Sequence, residues 1–140
     1  MKLISSVLLV AAALASQAAR AADPTLFDQL GGKPGIVKIV DTLLPKLQSD
    51  PRIRASFDGI DMHNLSLRLK EQICVVANGP CTYRGKDMKL IHDGLHITDA
   101  HFNALVEDLQ DAMDESGLSP AVQNRLLARL APMHRDVVQP

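Results

Sequence analysis

The chain is poor in aromatic residues. Its 140 residues include no tryptophan, one tyrosine and three phenylalanines. Large rings usually dominate the interior of a domain of this size. Two explanations stay open: an interior filled by leucine, isoleucine, valine and methionine alone, or an interior partly filled by a bound aromatic cofactor. Composition does not decide between them.

Long apolar runs are also absent, apart from one at the N-terminus. Lys2 gives a positive start, residues 3–15 are largely apolar, and small residues occupy the two positions that a signal peptidase reads before Ala22. This pattern is typical of a cleaved signal peptide, and the apolar run is too short to serve comfortably as a membrane anchor. We therefore expect residues 1–21 to be removed. Residues 22–140 should then form one soluble domain, periplasmic or secreted, without a membrane partner.

The chain has no excess of basic residues. Without Lys2 and Arg20 it carries 13 basic residues against 16 acidic ones, which is a net charge of about −3 with neutral histidines. Nucleic acid and anionic membranes repel a chain of this charge. The charge therefore argues against both as partners.

Cysteine is scarce, with Cys74 and Cys81 as the two examples. Export would permit a disulfide between them. If Cys74 lies on a helix and Cys81 on the turn that follows, the chain could fold back and bring them together. Two separate, partly buried thiols are the alternative. We expect pairing in protein from an oxidising compartment, and a count of free thiols in denatured, unreduced protein tests this.

Nothing in the sequence resembles a strand of useful length, and apolar residues recur at the three- and four-residue spacing of helices. The predicted helices are a short turn at 26–30 and longer segments at 33–50, 61–76, 99–116 and 119–137. Pro45 and Pro132 should bend the two helices that contain them. The predicted fold class is all-α.

The stretch from Met88 to Thr98 combines two histidines with apolar neighbours. His92 ends a short apolar segment that Gly94 interrupts, and Thr98 predicts the N-cap of a long helix. A histidine held inward at a loop can be the axial ligand of a planar cofactor, although an ordinary core or surface histidine is the alternative. His96, four residues on, has the spacing of a zinc or copper pair. Gly94 weakens that interpretation, and we expect His96 to be solvated.

A set of residues spread over the whole domain forms a recognisable pattern. Its members are Leu26-Phe27-Asp28-Gln29-Leu30-Gly31-Gly32, Phe57, Gly79-Pro80-Cys81-Thr82-Tyr83-Arg84-Gly85, Asp87-Met88-Lys89, His92, Gly94-Leu95, Ile97-Thr98, Phe102, Leu130-Ala131-Pro132-Met133 and Asp136-Val137-Val138. In this pattern the chain resembles the group I truncated haemoglobins. The resemblance implies a two-over-two helical sandwich around haem, a vestigial first helix and an extended loop before the proximal histidine.

The resemblance also implies which residues hold haem. His92 matches the proximal ligand of the iron, and Phe57 matches the phenylalanine that packs on the porphyrin. Met88 and Ile91 should line the proximal side, and Tyr83 should contribute to the cofactor site. The chemistry agrees, because iron needs a neutral imidazole nitrogen held by local structure.

The distal side departs from the pattern of the oxygen-detoxifying members. Those proteins hydrogen-bond the bound gas with a tyrosine in the second helix and a glutamine in the third. Here these positions align to Leu44 and Leu69, with Leu65 one turn before. Apolar residues supply no hydrogen-bond donor for bound oxygen. The oxygen should therefore dissociate more readily, and the ferrous iron should be oxidised more readily. Gln72 is the nearby candidate donor, with a solvated helix face as its alternative, and His63 lies too near the helix start.

The resemblance therefore implies a haem protein that binds oxygen, nitric oxide and carbon monoxide at iron held by His92. The apolar distal positions favour a binding or transport-like role. One alternative is an enzyme that converts nitric oxide to nitrate, with an unidentified reductase as its partner. Another is a helical metal-handling protein without haem, using His92, His96 and the cysteines.

Overall fold

The computed structural model describes residues 22–139, so the predicted signal peptide lies outside the described residues. The described part is helical and contains no strand, which confirms the all-α prediction. None of its helices combines the length and the apolar character needed to cross a membrane. The α-helices are α1 (Leu26–Gln29), α2 (Gly32–Ser49), α3 (Met62–Val76), α4 (Met88–His92), α5 (Asp99–Glu115), α6 (Pro120–Leu130) and α7 (His134–Val137), with 3₁₀ turns at Arg54–Phe57 and Ala131–Met133.

Side-chain caps set where the long helices begin. The Thr98 hydroxyl accepts a hydrogen bond from the backbone N–H of His101, whose ring nitrogen accepts one in return from the Thr98 N–H, both at 3.2 Å. This reciprocal pair satisfies two donors that the first helical turn leaves unpaired. Asp61 accepts from the Asn64 N–H at 3.0 Å at the start of α3, and Ser119 caps α6. The predicted cap at Thr98 is confirmed, and the predicted starts of α3 and α6 agree with the caps at Asp61 and Ser119.

The two prolines that were expected to bend helices differ in their effect. Pro132 lies in the 3₁₀ turn between α6 and α7, so the predicted last helix is interrupted there. Pro45 lies inside α2, which continues to Ser49. A proline in a helix interior costs about 3 kcal/mol. Leu43 and Leu47, on either side of it, are buried, and each contributes about 1.5 to 3 kcal/mol by burial, so packing holds the helix together.

The four longest helices, α2, α3, α5 and α6, pack together, as the resemblance to the two-over-two globins implied. α2 packs against both α3 and α5, and α6 also contacts α3 and α5. The core between them is almost entirely aliphatic, as expected from the shortage of aromatic residues. Its largest fully buried side chains are those of Leu26, Leu30, Ile36, Ile39, Leu47, Met113 and Leu126.

One carboxylate is buried at the edge of this core. Asp108 on α5 is 7% exposed, and its Oδ2 atom has no hydrogen-bond partner within residues 22–139. Burial, followed by the nearby Asp50 carboxylate, raises the pKa of Asp108 above its ordinary value. The Arg52 guanidinium donates to Asp50 at 2.8 Å and lowers the pKa of Asp50, which keeps that neighbour charged. The fold therefore disfavours the charged form of Asp108.

We expect Asp108→Asn to raise the free energy of unfolding at pH 7 by roughly 1 to 3 kcal/mol, because the amide removes a buried charge that lies near the Asp50 carboxylate. The pKa of Asp108 is higher in the folded protein than in the unfolded one. The contribution of Asp108 to the stability of the unmodified protein is therefore fully present below the unfolded pKa and falls as the pH rises through the folded pKa. Urea titrations should therefore show the gain at pH 7 and lose it near pH 3. Asp111→Asn, an exposed carboxylate on the same helix, is the control. An equal gain in both variants would contradict the account.

Candidate functional site

Helix α4 holds His92 in a defined orientation. The Asp87 carboxylate accepts the backbone N–H groups of Lys89 at 2.9 Å and Leu90 at 3.3 Å, which caps this short helix. The Nδ1 atom of His92 lies 2.7 Å from the backbone carbonyl oxygen of Met88. That carbonyl can only accept, so Nδ1 carries the proton and Nε2 keeps its lone pair. His92 is half-buried, and Nε2 is the atom available to a metal.

One face of α3 is turned towards α4. Leu65, Leu69 and Gln72 share this face because they are spaced by four and three residues along a helix. The Gln72 side-chain nitrogen lies 3.3 Å from the sulfur of Met88 and 3.2 Å from the sulfur of Met133. Thioether sulfur is a weak acceptor, so these contacts leave most of the amide's donor capacity unused.

α3 and α4 meet where Gln72 contacts Met88, and the partly open surface of the two helices beside this contact, called the cleft below, is where haem would have to fit. Leu65, Leu69, Met88 and His92 are all half-buried, so part of this surface is not covered by the protein's own side chains. α4 packs chiefly against α7 and touches α3 through Gln72. A planar cofactor would cover the open apolar surface, at about 25 cal/mol per Å² buried. With Nε2 of His92 as the ligand, the residues present fit haem.

The other predicted haem contacts differ in burial. Phe57, in the first 3₁₀ turn, and Leu44, on α2, are half-buried and pack against the aliphatic core. Ile91 is 38% exposed and its neighbour Leu90 is 64% exposed, so α4 presents apolar surface on more than one side. The roles of these side chains towards haem stay predictions.

Tyr83 belongs to the extended loop that was predicted before His92. Its hydroxyl donates to the backbone carbonyl of Lys86 at 2.8 Å. Its ring lies against Gly85, where an added Cβ would come within 2.2 Å of the hydroxyl oxygen. Burial raises the pKa of Tyr83. The structure thus gives Tyr83 a part in shaping the loop, and its predicted contact with haem stays a prediction.

The C-terminal segment supports α4 in a way that the sequence did not predict. The Gln139 amide donates to the Lys89 carbonyl at 3.1 Å. His134 on α7 pairs with Asp99 at 2.6 Å, and its ring packs edge-on against Phe102. These contacts join residues 32 to 50 positions apart in the chain. Helical periodicity marked this segment as buried but carried no signal for which helix it would meet.

The other histidines do not join this site. His63, at the start of α3, is exposed, and so is His96, as expected. His96 adopts a left-handed backbone conformation with φ of 54°. Within residues 22–139 no three histidine, cysteine or acidic side chains are grouped so that they could hold a metal ion. The geometry therefore gives no support to the metal-handling alternative.

The two cysteines are joined as a disulfide, which is the pairing expected for an exported chain. Cys74 lies in the last turn of α3 and Cys81 lies in the following loop, with their Cα atoms 6.0 Å apart. Gly79 makes the tight return possible, because an added Cβ there would lie 2.4 Å from the Phe27 ring and 2.6 Å from the Cys74 sulfur. The loop closed by the bridge is short, so the expected contribution to stability is at the low end for disulfides.

Comparison with known proteins agrees with this architecture. The sequence model of the bacterial-like globin family matches residues 25–139. The group 1 truncated haemoglobin of Nostoc sp. (strain MUN 8820) is 32% identical over 109 residues, which cover 78% of this chain and 92% of the relative. That of Tetrahymena thermophila is 28% identical over 99 residues, or 71% of this chain and 82% of the relative.

Solved structures give the same result. The truncated haemoglobin of Tetrahymena pyriformis, in its Fe(III) form, has a TM-score of 0.81 and 26% identity, covering 84% of this chain and 100% of that one. The 2/2 haemoglobin of Synechococcus sp. PCC 7002, at 24% identity and a TM-score of 0.75, covers 82% of this chain and 98% of that one and supports the fold alone. The predicted resemblance to truncated haemoglobins is confirmed. The chain belongs to the bacterial-like globin family, and its cofactor is haem.

Proposed function

We propose that this globin reversibly binds oxygen, nitric oxide or carbon monoxide at a haem whose iron is held by His92. The observation that carries the proposal is the 2.7 Å contact between His92 Nδ1 and the Met88 carbonyl. A hydrogen bond from the ring nitrogen that does not bind the metal fixes the tautomer and the ring orientation of a ligating histidine. Haem, when bound, would supply an iron that can bind a small gas. His92 would hold that iron through Nε2.

The surroundings of α4 support a rigid proximal side. Asp87 caps the start of the helix, and Gln139 bonds the carbonyl of Lys89 near its end. A ligand on a supported helix is positioned more reproducibly than a ligand on a free loop. Met88 and Ile91 are proposed to pack on the proximal face of the cofactor, with Phe57 and Tyr83 at its edges.

The distal side is proposed to be apolar, formed by Leu44, Leu65 and Leu69. None of these side chains can donate a hydrogen bond to a polarised gas ligand. Gln72 is the nearest candidate donor, and its amide is already in contact with the sulfurs of Met88 and Met133. Nitric oxide and carbon monoxide need less help from a donor than oxygen does. An apolar pocket therefore favours a binding role over dioxygenation of nitric oxide.

Turnover with nitric oxide distinguishes binding from catalysis. Reduced, oxygen-equilibrated protein would be mixed with nitric oxide while a chemical reductant replaces the unidentified reductase, and nitrate would be followed over many equivalents. We expect no sustained nitrate formation beyond that of free haem under the same conditions. Continued nitrate production would make the nitric oxide dioxygenase the better assignment.

We also propose that the protein works in the periplasm or outside the cell. The positive start, the apolar run and the small residues before Ala22 support cleavage after Ala21. A disulfide between Cys74 and Cys81 is in keeping with an oxidising compartment. N-terminal sequencing of protein from whole secreting cells should begin at Ala22. Recovery of the intact N-terminus in the cytoplasmic fraction would contradict this.

A further inference from the structure

A groove of about 370 Å³ lies beside the disulfide, between the first turn of α2, the last turns of α3 and the following loop. The residues that matter in its wall are Lys33, Lys70, Glu71, Cys74, Cys81 and Arg84. At 3.6 residues per turn, Lys70, Glu71 and Cys74 lie on the side of α3 opposite Leu65, Leu69 and Gln72. The groove is therefore separate from the haem cleft.

The wall of the groove is positively charged. Its one carboxylate, Glu71, is already engaged by the Arg68 guanidinium at 2.7 Å and by the backbone N–H of Arg84 at 2.9 Å. Lys70 pairs with Asp41 at 2.6 Å. Lys33 and Arg84 are exposed, and neither side chain forms a salt bridge within the described part of the chain. Two cations are thus free to attract a small anion.

The two cysteines that line this groove differ in exposure. Cys74 is 2% exposed, whereas Cys81 is half-buried. Thiol–disulfide exchange requires a thiolate to reach one sulfur while the other leaves, so access decides which sulfur is attacked. Cys81 is therefore the sulfur that a thiolate in the groove can reach.

We propose that the groove is a docking site for small anionic thiols, which exchange with the bridge at Cys81 and so free the segment that leads to His92. The thiolate sulfur bonds to Cys81 Sγ, the bridge breaks, and its electron pair stays on Cys74, which takes a proton from water. A second thiolate attacks the mixed disulfide and releases Cys81. The overall step oxidises two thiol molecules to their disulfide and reduces the bridge to two cysteines.

The bridge matters because it ties the end of α3 to the loop that carries Asp87 and α4. Without it, the loop next to the bridge keeps the 2.9 Å bond from the Arg84 N–H to Glu71 and the 2.8 Å bond from the Gly79 N–H to the Cys74 carbonyl. The bond to Glu71 is exposed to solvent, and such hydrogen bonds open more readily than core ones. Reduction should therefore loosen the support of His92.

A charge series of thiols tests the docking site on the unmodified holoprotein. The rate of bridge reduction by mercaptoethanesulfonate, which is anionic, would be compared with the rate by mercaptoethanol, whose carbon chain ends in a neutral hydroxyl. Each rate would be divided by the thiolate concentration and by the rate measured for the same protein unfolded in urea. We expect the native bridge to favour the anionic thiol by roughly threefold to tenfold at low salt, since a nearby charge in water is worth about this much. The preference should vanish near 1 M salt. A ratio of one at low salt would overturn the proposal.

Two further readouts make the assignment specific. Lys33→Gln combined with Arg84→Gln should remove the preference, whereas Lys38→Gln, an exposed lysine of α2 outside the groove, should keep it. Acid-quenched protein should carry the mixed disulfide on Cys81. A preference that survives the double substitution, or an adduct on Cys74, would overturn the site.

The link to His92 has its own test, which rests on the proposed function, while the thiol experiments do not. Transfer of haem to an apoglobin acceptor should be about threefold to tenfold faster after reduction of the bridge. Cys74→Ser combined with Cys81→Ser should show the faster rate without reductant and no further change with it. Equal rates in bridged and reduced protein would overturn the link and leave the exchange result standing.

Discussion

Replacing His92 by glycine should abolish stable haem incorporation. The variant removes the one imidazole whose Nδ1 is fixed by a backbone carbonyl, at 2.7 Å from Met88, and whose Nε2 is free. The chain has no tryptophan and one tyrosine, so protein should be quantified by peptide-bond absorbance. The ratio of the Soret band to that absorbance should fall to the background of added free haem.

His96→Gly is the matched control, because it removes an exposed histidine four residues away. Its spectrum should equal that of the unmodified protein. Free imidazole should restore haem binding to His92→Gly, because the cavity left by the side chain can admit the ligand from solution. Loss of haem in His96→Gly with retention in His92→Gly would show that the ligand has been assigned to the wrong histidine.

Leu44→Tyr should slow oxygen release by roughly ten- to a hundredfold. A hydrogen bond to a strongly polarised partner away from water is worth roughly 1 to 3 kcal/mol, and 1.4 kcal/mol corresponds to a tenfold change in rate. Leu44 is half-buried on α2, so a tyrosine there can reach the cleft only if the helix turns this position towards it. Stopped-flow displacement of oxygen by carbon monoxide measures the rate.

Two further variants show whether the change in oxygen release depends on the position of the tyrosine and on Gln72. Leu67→Tyr adds the same ring to an exposed position on the outer side of α3 and should leave the rate unchanged. Gln72→Leu should speed oxygen release only if Gln72 turns from the Met88 and Met133 sulfurs towards the gas. Slow release in the unmodified protein that Gln72→Leu does not alter would mean that another group donates, and the dioxygenase alternative would gain support.

The sequence predicted those features whose causes are local. Thr98, Asp61 and Ser119 bond backbone groups within three residues, so their capping roles follow from residue type and position alone. The loop from Cys81 to Asp87 also follows from Gly79 and Pro80, which end α3. These signals predict the end of α3 and the loop before Met88, whereas the short helix α4 that ends at His92 was not among the predicted helices.

Contacts between distant parts of the chain could not be read in the same way. Gln72 contacts Met133, which lies 61 residues further along the chain, and neither residue type predicts the other as its partner. The continuity of α2 through Pro45 depends on burial against other helices, which outweighs a local penalty. The burial of Asp108 Oδ2 without a hydrogen-bond partner likewise depends on how α5 packs against the rest of the domain. Tertiary packing decides each of these.

The proposed gas site would be visible in the absorption spectrum of the purified protein, taken oxidised, reduced, and reduced with carbon monoxide. If His92 holds the haem iron and the apolar side chains leave that iron open to a gas, the spectrum should show a Soret band equivalent to one haem per chain. The reduced band should then shift clearly when carbon monoxide is added. A reduced spectrum that carbon monoxide leaves unchanged would contradict this proposal, because a protein side chain would then close the gas site.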